Sequence, residues 1–278
     1  MRPLSWKNLL GPGILLAFVV LAIVGPSMVD FDPVSVNTRQ RFFPPLTQTN
    51  DGTYAFFGTD QLGRDILAQI LVGAQVSLGI AISAAFVAAV IGAFVGIAAG
   101  WAGGSISEAI MRVIDVQLSF PSILIAVFLA AFIPPSILTV IVVLAVTRWA
   151  AIARLARAIT LKVCSQSYVE SALVSGLPTW RIITTCVLPN LAAPLLVLLT
   201  ADLSLIILAE ASLSYVGLGT PPSVPSWGRI IANGRNFLDN AWWISTIPGI
   251  AISLVVIAIG LTGELLRWHF ARDGWTML

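Results

Sequence analysis

The chain has 278 residues, of which 58% are apolar and only 10% charged, with a mean hydropathy of +0.94 and a formal net charge of +2. Soluble domains carry roughly a quarter charged residues, so a soluble enzyme or binding module is excluded and a polytopic membrane protein is indicated. The charges are bunched, leaving apolar windows of about 17 to 25 residues, enough to cross a hydrocarbon core of about 30 Å as helix. These windows lack the alternation of barrel strands. One His and two Cys without ligand spacing give no reason to expect a metal site.

The first expected span runs from Leu9 to Val29, after a cytoplasmic segment 1–8 that carries Arg2 and Lys7. A cleaved signal peptide is the competing reading. The apolar run is long for one, and Ile23, Pro26 and Met28 offer no small-residue cleavage site. Residues 30–69 read as an external excursion, with turn formers at Pro33, Pro44, Pro45, Asn50-Asp51-Gly52 and Gly58. Its tail from Gly58 is expected as an interfacial helix on which Asp60, Arg64 and Asp65 form solvated ion pairs. A second span, Ser77 to Gly100, carries Gly79, Gly92, Gly96 and Gly100, small residues that let another helix approach closely. A loop from Trp101 to Asp115, a third span from Val116 to Ile133, a break at Pro134-Pro135 and a fourth span from Ile137 to Ala153 follow. The fifth span covers Leu191 to Leu208, an external loop 210–243 follows, and the sixth span covers Ile244 to Leu266. The fold class is therefore all-α: a polytopic membrane protein with six transmembrane helices, making one membrane domain over 9–278.

With the N-terminus inside, ten Lys and Arg fall on the inner segments (Arg2, Lys7, Arg112, Arg148, Arg154, Arg157, Lys162, Arg181, Arg267, Arg272) and five on the outer ones (Arg39, Arg41, Arg64, Arg229, Arg235). This is the bias expected of a cytoplasmic face, and setting aside Arg148, close to the membrane boundary, leaves nine against five. Both termini and residues 154–190 are thereby placed in the cytoplasm, with Cys164 and Cys186 expected as reduced thiols.

Ser165 to Asn190 is a polar island between two apolar runs. Ser167-Tyr168-Val169-Glu170 fits a capping box, Gly176 supplies a left-handed helix end, Pro178 blocks continuation, and Thr179 can cap a second short helix that must stop before Pro189. The product is a helix-turn-helix whose Tyr168, Val169, Leu173, Trp180, Ile183 and Val187 need a covering surface, either this chain's own helix ends, the lipid interface or another protein.

Glu170, Ala172 and Gly176 followed by Leu188-Pro189 resemble the EAA loop of permease subunits of binding-protein-dependent ABC importers, with Ser171 in place of the first Ala and Cys186 where Ile is usual. The resemblance covers nearly the whole chain and is closest to the peptide and nickel importers, of the dipeptide and oligopeptide permease C type. It is carried by Gly58-Thr59-Asp60-x-Leu62-Gly63-Arg64-Asp65, Gly96-x-x-Ala99-Gly100-Trp101-x-Gly103-Gly104, Met111-Arg112-x-x-Asp115, Phe120-Pro121, Trp149 with Ala153-Arg154 and Arg157, Glu210-Ala211-x-Leu213-Ser214-Tyr215-x-Gly217-Leu218-Gly219, and Pro222-x-x-Pro225-Ser226-Trp227-Gly228. The C-terminal Gly263-Glu264-Leu265-Leu266-Arg267-Trp268-His269 departs from the family pattern, and His269 reads as an interfacial anchor.

The resemblance implies a type I importer permease that forms half of a translocation path, with Tyr168, Glu170, Ala172, Gly176, Leu188 and Pro189 as the coupling residues toward the ATPase. It implies a second homologous permease subunit, two cytoplasmic ATPase subunits that bind ATP and Mg, and an extracytoplasmic solute-binding protein, besides membrane lipid; it implies no nucleic acid. This chain has no Gly-x-x-x-x-Gly-Lys-Ser/Thr loop and so is expected to hold no cofactor and to hydrolyse no ATP itself. Glu170 serves either the cap or the partner, or both in turn. Asp202, near the middle of the fifth span, costs at least about 2.5 kcal/mol there unless water or a partner meets it. It is a candidate for the translocation path or for a contact with Ser or Thr on another helix. Glu210 is expected near the outer boundary, as a gating or a hydrated residue. Short peptides are the first cargo choice and a nickel or other metal chelate the second. An ion-coupled secondary transporter would have only Asp202 and Glu210 for its coupling site, a membrane enzyme would need more than one His, and a channel would need a visible filter.

Overall fold

The computed structural model describes residues 6–29, 36–49, 52 and 54–272. The charge at Arg2 and the turns expected at Pro33 and Asn50-Asp51 lie outside them. Among the described residues, five stretches are long and apolar enough to cross a membrane: Leu9–Met28, Ile66–Ala102, Ile137–Cys164, Thr179–Val216 and Trp243–Phe270. They belong to helices α1 (Trp6–Met28), α2 (Ile66–Ala102), α5 (Ile137–Cys164), α8 (Leu188–Val216) and α11 (Trp243–Arg272).

The third expected span takes another form. Where a single span was expected from Val116 to Ile133, α3 (Gly104–Ser119) and α4 (Ser122–Ala131) meet at 88°. The cause is Pro121, which pushes the residue before it out of the helical region: Phe120 sits at φ −94°, ψ 142°. With ten residues α4 spans about 15 Å, half a hydrocarbon core. Most of the stretch expected as a loop, Trp101 to Asp115, is helical in α3, which is capped by Gly103 (φ 62°) and begins at Gly104 (φ 50°), two glycines at positive φ. The break at Pro134-Pro135 is as expected: α4 ends at Ala131, and Ser136 caps α5 by accepting from the Thr139 amide at 3.0 Å.

The helix expected from Gly58 to feed the second span begins only at Ile66. From there α2 runs unbroken for 37 residues, about 55 Å, and protrudes well beyond a membrane core. The chain before it folds as a compact loop. Two short antiparallel strands, β1 (Thr47–Gln48) and β2 (Tyr54–Ala55), precede it. Asp60 is 1% exposed and accepts from the Leu62 and Arg64 amides at 2.8 and 2.9 Å, from Arg64 Nε at 2.7 Å and from Gln69 Nε2 at 3.1 Å. The Asp60, Arg64 and Asp65 charges are thus not solvated pairs on a helix. Asp65 caps α2 through the Leu67 and Ala68 amides, while burial pushes its carboxyl pKa up against the pull of those two bonds.

The glycines of α2 set the centre of the bundle. A Cβ on Gly92 would lie 2.6 Å from the Trp149 carbonyl oxygen and 2.7 Å from Ile152 Cβ. Gly96 meets Ala153 and Ala156 in the same way, and Gly100 meets Thr160. The contacts rise in parallel along both helices, so α2 and α5 run in the same direction, their backbones in touch. Gly79, by contrast, faces open space. At the end where α2 begins, α9 (Trp227–Gly234) is pinned to it: the buried Trp227 donates its amide to Ser77 Oγ and its indole N–H to the Ile70 carbonyl, both at 3.1 Å. A 3-10 turn, Arg235–Phe237, and the short α10 (Leu238–Ala241) lead into α11, where the Trp243 indole donates to the Thr59 carbonyl at 3.1 Å.

Gly92→Val is expected to destabilise the protein by about 1–3 kcal/mol through overpacking, whereas Gly79→Ala is expected to be neutral or slightly stabilising. Thermal unfolding of the two variants in detergent checks this, and equal midpoints would contradict a backbone seam at Gly92.

Candidate functional site

At the end of the bundle where α2 and α5 finish, the chain makes a helical hairpin. After Cys164 a short turn leads into α6 (Ser167–Val174). Gln166, not Ser167, is its N-cap residue, and no side chain caps it. The expected capping box is therefore absent. Ser167 is already the first helical residue, so its hydroxyl is not placed to meet the Glu170 amide, which bonds the Gln166 carbonyl. The Glu170 carboxylate is exposed and has no hydrogen-bond or ion-pair partner among the described residues.

The helix end forms as the sequence predicts. Gly176 sits at φ 76°, its amide donates to the Leu173 carbonyl and the Leu177 amide to the Ala172 carbonyl, the paired bonds of a left-handed helix terminus. Pro178 takes the N-cap position of α7 (Thr179–Ile182), in place of the expected Thr179. The second arm then departs from expectation. It does not stop before Pro189 but widens into a π-helical segment, Ile183–Val187, and continues directly as α8 with Pro189 in its first turn. A proline in an α-helix loses a donor and clashes with the carbonyl four residues back. Here the hydrogen-bond ladder widens just before the ring: the Leu188 amide bonds the Ile183 carbonyl, five residues back, and the Asn190 side chain donates to the Cys186 carbonyl at 2.7 Å. Leu188 and Pro189 are exposed, and Cys164 and Cys186 are free thiols.

The apolar side chains of this hairpin divide between two surfaces. Val169, Ile182 and Val187 are fully buried against Ile97, Ala156, Val163 and Leu191, with Ala172 and Ile183 partly buried beside them. Tyr168, Leu173, Leu177, Val174 (89% exposed) and Trp180 (66% exposed) are left uncovered, next to Glu170.

Two acidic groups lie inside the bundle. Glu210, expected at a hydrated boundary, belongs to α8 and is 1% exposed. Ser77 Oγ donates to its Oε2 at 3.3 Å and Ser214 Oγ to its Oε1 at 2.8 Å, and Ser214 lies 3.4 Å from Ser226, the cap of α9. Glu210 thus ties α8, α2 and the 220–226 loop together. Asp202 is also buried, and of its two expected settings, the translocation path or a Ser or Thr contact, the second is not seen: the partner nearest to its carboxylate is Arg148 of α5, with Nη1 3.9 Å from Oδ1.

Residues 92–273 match the family of binding-protein-dependent transport system inner membrane components. The chain belongs to this family. The permease is 42% identical over 267 residues to a putative peptide transport system permease protein of Brucella suis, covering 96% of this chain and 87% of that one. It is 35% identical over 254 residues to the di/tripeptide transport system permease protein DppC of Pseudomonas aeruginosa, covering 91% and 84% of the two chains. With the probable D,D-dipeptide transport system permease protein DdpC of Escherichia coli it shares 33% identity over 254 residues, with 91% and 83% covered. Among solved structures it resembles the MetNI methionine ABC transporter, with a TM-score of 0.61 over 72% of this chain and 95% of that one at 19% identity. At that identity the likeness concerns the fold, that of a type I importer permease.

The structure brings Tyr168, Glu170, Ala172 and Gly176 together on the first arm of the permease's hairpin, and places Leu188 and Pro189 where the second arm becomes α8. Asp202 and Glu210 lie in α8 itself, in separate environments. What sequence reasoning missed is Arg148, which had been counted with the inner-face positives. Its position within the span expected from Ile137 to Ala153, with Leu144, Ala145, Ala151 and Ile152 one helical turn away, was the available signal. The departing C-terminal segment continues α11, where Arg267 pairs with Glu264 at 2.7 Å on an exposed surface.

Nothing stands within 4 Å of a Cβ built on Gly176, so its replacement acts through the backbone alone. Gly176→Val should cost about 1–2 kcal/mol of left-handed strain and abolish transport by reorienting the two arms, whereas Gly176→Asn should keep most of it. Uptake assays on both variants decide the point, and normal transport by the Val variant contradicts a role for the turn.

Proposed function

We propose that this permease is the membrane subunit of an ATP-driven importer of short peptides and that its hairpin at 165–190 is the coupling element, with Tyr168, Glu170, Ala172, Gly176, Leu188 and Pro189 as its working residues. The observation that carries this reading is the divided hairpin. One face is locked to the ends of α2, α5 and α8, and the other presents an unpartnered carboxylate among Tyr168, Leu173, Val174 and Trp180. A monomer has no use for such a surface, and a partner of similar polarity buries it at a gain of about 25 cal/mol per Å² of apolar area.

In this reading the partners on that side are two cytoplasmic ATPase subunits, which bind ATP and Mg. A second homologous permease completes the path, and an extracytoplasmic binding protein delivers the peptide. The permease itself carries no ATP site and works by favouring different conformations when its partners close or open, as any ligand with differential affinity does. The hairpin and both termini lie in the cytoplasm, a placement supported by nine positive charges against five once Arg148 is assigned to the membrane. Peptides are preferred over chelated nickel because the similar permeases are named for peptide, di/tripeptide and D,D-dipeptide transport. Asp202 belongs to the path in this reading, and Glu210 holds the outer loop that borders it.

Glu170→Ala is expected to lower ATP-dependent uptake at least tenfold while leaving the unfolding free energy of the permease within about 0.5 kcal/mol, as for other exposed substitutions. Ser167→Ala, which removes no cap, should transport normally. Uptake of a radiolabelled dipeptide by cells carrying each variant provides the measurement. Full activity of the Glu170 variant removes the carboxylate from the coupling surface.

A further inference from the structure

Arg148 and Asp202 sit near the midpoints of α5 and α8, and their side chains are 16% and 6% exposed. A charged pair that serves only to clamp two helices closes into charge-assisted bonds of about 2.7–2.9 Å, often two in parallel. This pair stands open at 3.9 Å. Moreover, Arg148 Nε and Asp202 Oδ2 are both buried and both without a hydrogen-bond partner. Buried polar atoms are satisfied in nine cases out of ten or more. Two orphans of opposite charge, side by side, therefore mark a site that lacks one acceptor and one donor.

A single molecule bearing an anionic and a cationic group supplies both. The helical neighbours of the pair are Leu144, Ala145 and Ile152 on α5 and Leu198, Leu199 and Ile206 on α8, all apolar. They offer no means of reading a particular polar side chain, so recognition there rests on charge. We infer that Arg148 and Asp202 receive the two charged termini of a zwitterionic peptide at mid-membrane, the guanidinium taking the α-carboxylate and the carboxylate taking the α-ammonium. With no peptide present the two charges face each other across 3.9 Å, and the peptide replaces each partner with one of its own termini. The termini of an extended dipeptide are roughly 7 Å apart, so the two helices separate as it binds. This inference rests on the reading of the chain as a peptide permease.

The test uses the intact importer in cells and radiolabelled dialanine as probe, with complex assembly followed by co-purification of the subunits. Arg148→Asp combined with Asp202→Arg keeps a salt bridge between α5 and α8 but reverses the order of the charges. Arg148→Met combined with Asp202→Leu removes the charges and keeps the volume. Dialanine uptake is expected to fall at least tenfold in the charge-free variant, with assembly retained, and to persist within fivefold of the native level in the reversed pair, which a zwitterion meets end for end. Uptake within twofold of the native level in the assembled charge-free variant overturns the inference, because an apolar contact then suffices; loss of uptake in an assembled reversed pair overturns it too, because charge alone then does not receive the peptide. Failure of both to assemble also overturns it, in favour of a purely structural pair. If the native importer transports no dialanine or trialanine, the peptide reading itself fails and takes this inference with it. Native uptake alongside an active charge-free variant sinks the inference alone.

Discussion

The close approach of α2 to α5 is the contact on which the rest of the molecule depends. Gly92, Gly96 and Gly100 allow backbone to touch backbone over two turns, where lipid supplies no hydrophobic drive and packing must hold the helices together. Because the two helices run parallel, their ends lie level. Ile97 of α2 and Ala156 and Val163 of α5 then form the floor on which Val169, Ile182 and Val187 of the hairpin rest. The same seam fixes the height of Arg148, one residue before Trp149, whose carbonyl touches Gly92.

At the opposite end, polar burial replaces glycine packing. Asp60 gathers its own loop around one carboxylate, and Glu210 does the same for α2, α8 and the cap of α9. Each is satisfied by several donors, the condition under which a buried charge is tolerated. Asp202 is the exception, with an oxygen left over. The contrast among these three buried carboxylates separates two that organise the fold from one whose Oδ2 has no hydrogen-bond partner.

Much of this was legible in the chain before folding. Spans appear as uninterrupted apolar runs, the Gly176 turn as a glycine followed by proline, and the α2 seam as glycines four residues apart. The residues proposed for coupling were picked out by their resemblance to a family pattern. Other features were hidden for physical reasons. Ser167 and Glu170 have the spacing of a capping box, yet whether a serine is the cap or the first helical residue depends on one backbone angle at Gln166. Pro189 signals a stop, and only tertiary packing shows that a π turn can pass it. Asp60, Arg64 and Asp65 look like surface charges because their spacing is helical, while the loop that buries Asp60 closes through distant contacts with Trp243 and α2. Phe120-Pro121 lies within an apolar run, and hydropathy registers the run but not the right-angle bend.

The π segment has a further consequence. Since the second arm of the hairpin passes into α8 without a loop, the exposed surface at Trp180 and the carboxylate of Asp202 stand on one continuous stretch of helix. From Val187 to Asp202 is about 22 Å along the axis, so a rod tilted by 10° about its lower end shifts the carboxylate sideways by roughly 4 Å. That is as large as the gap between Asp202 and Arg148 in the structure. A tilt of the hairpin would thus reach the membrane interior as a change in spacing between two charges, because α8 continues the hairpin while α5 is packed against α2 along the glycine seam.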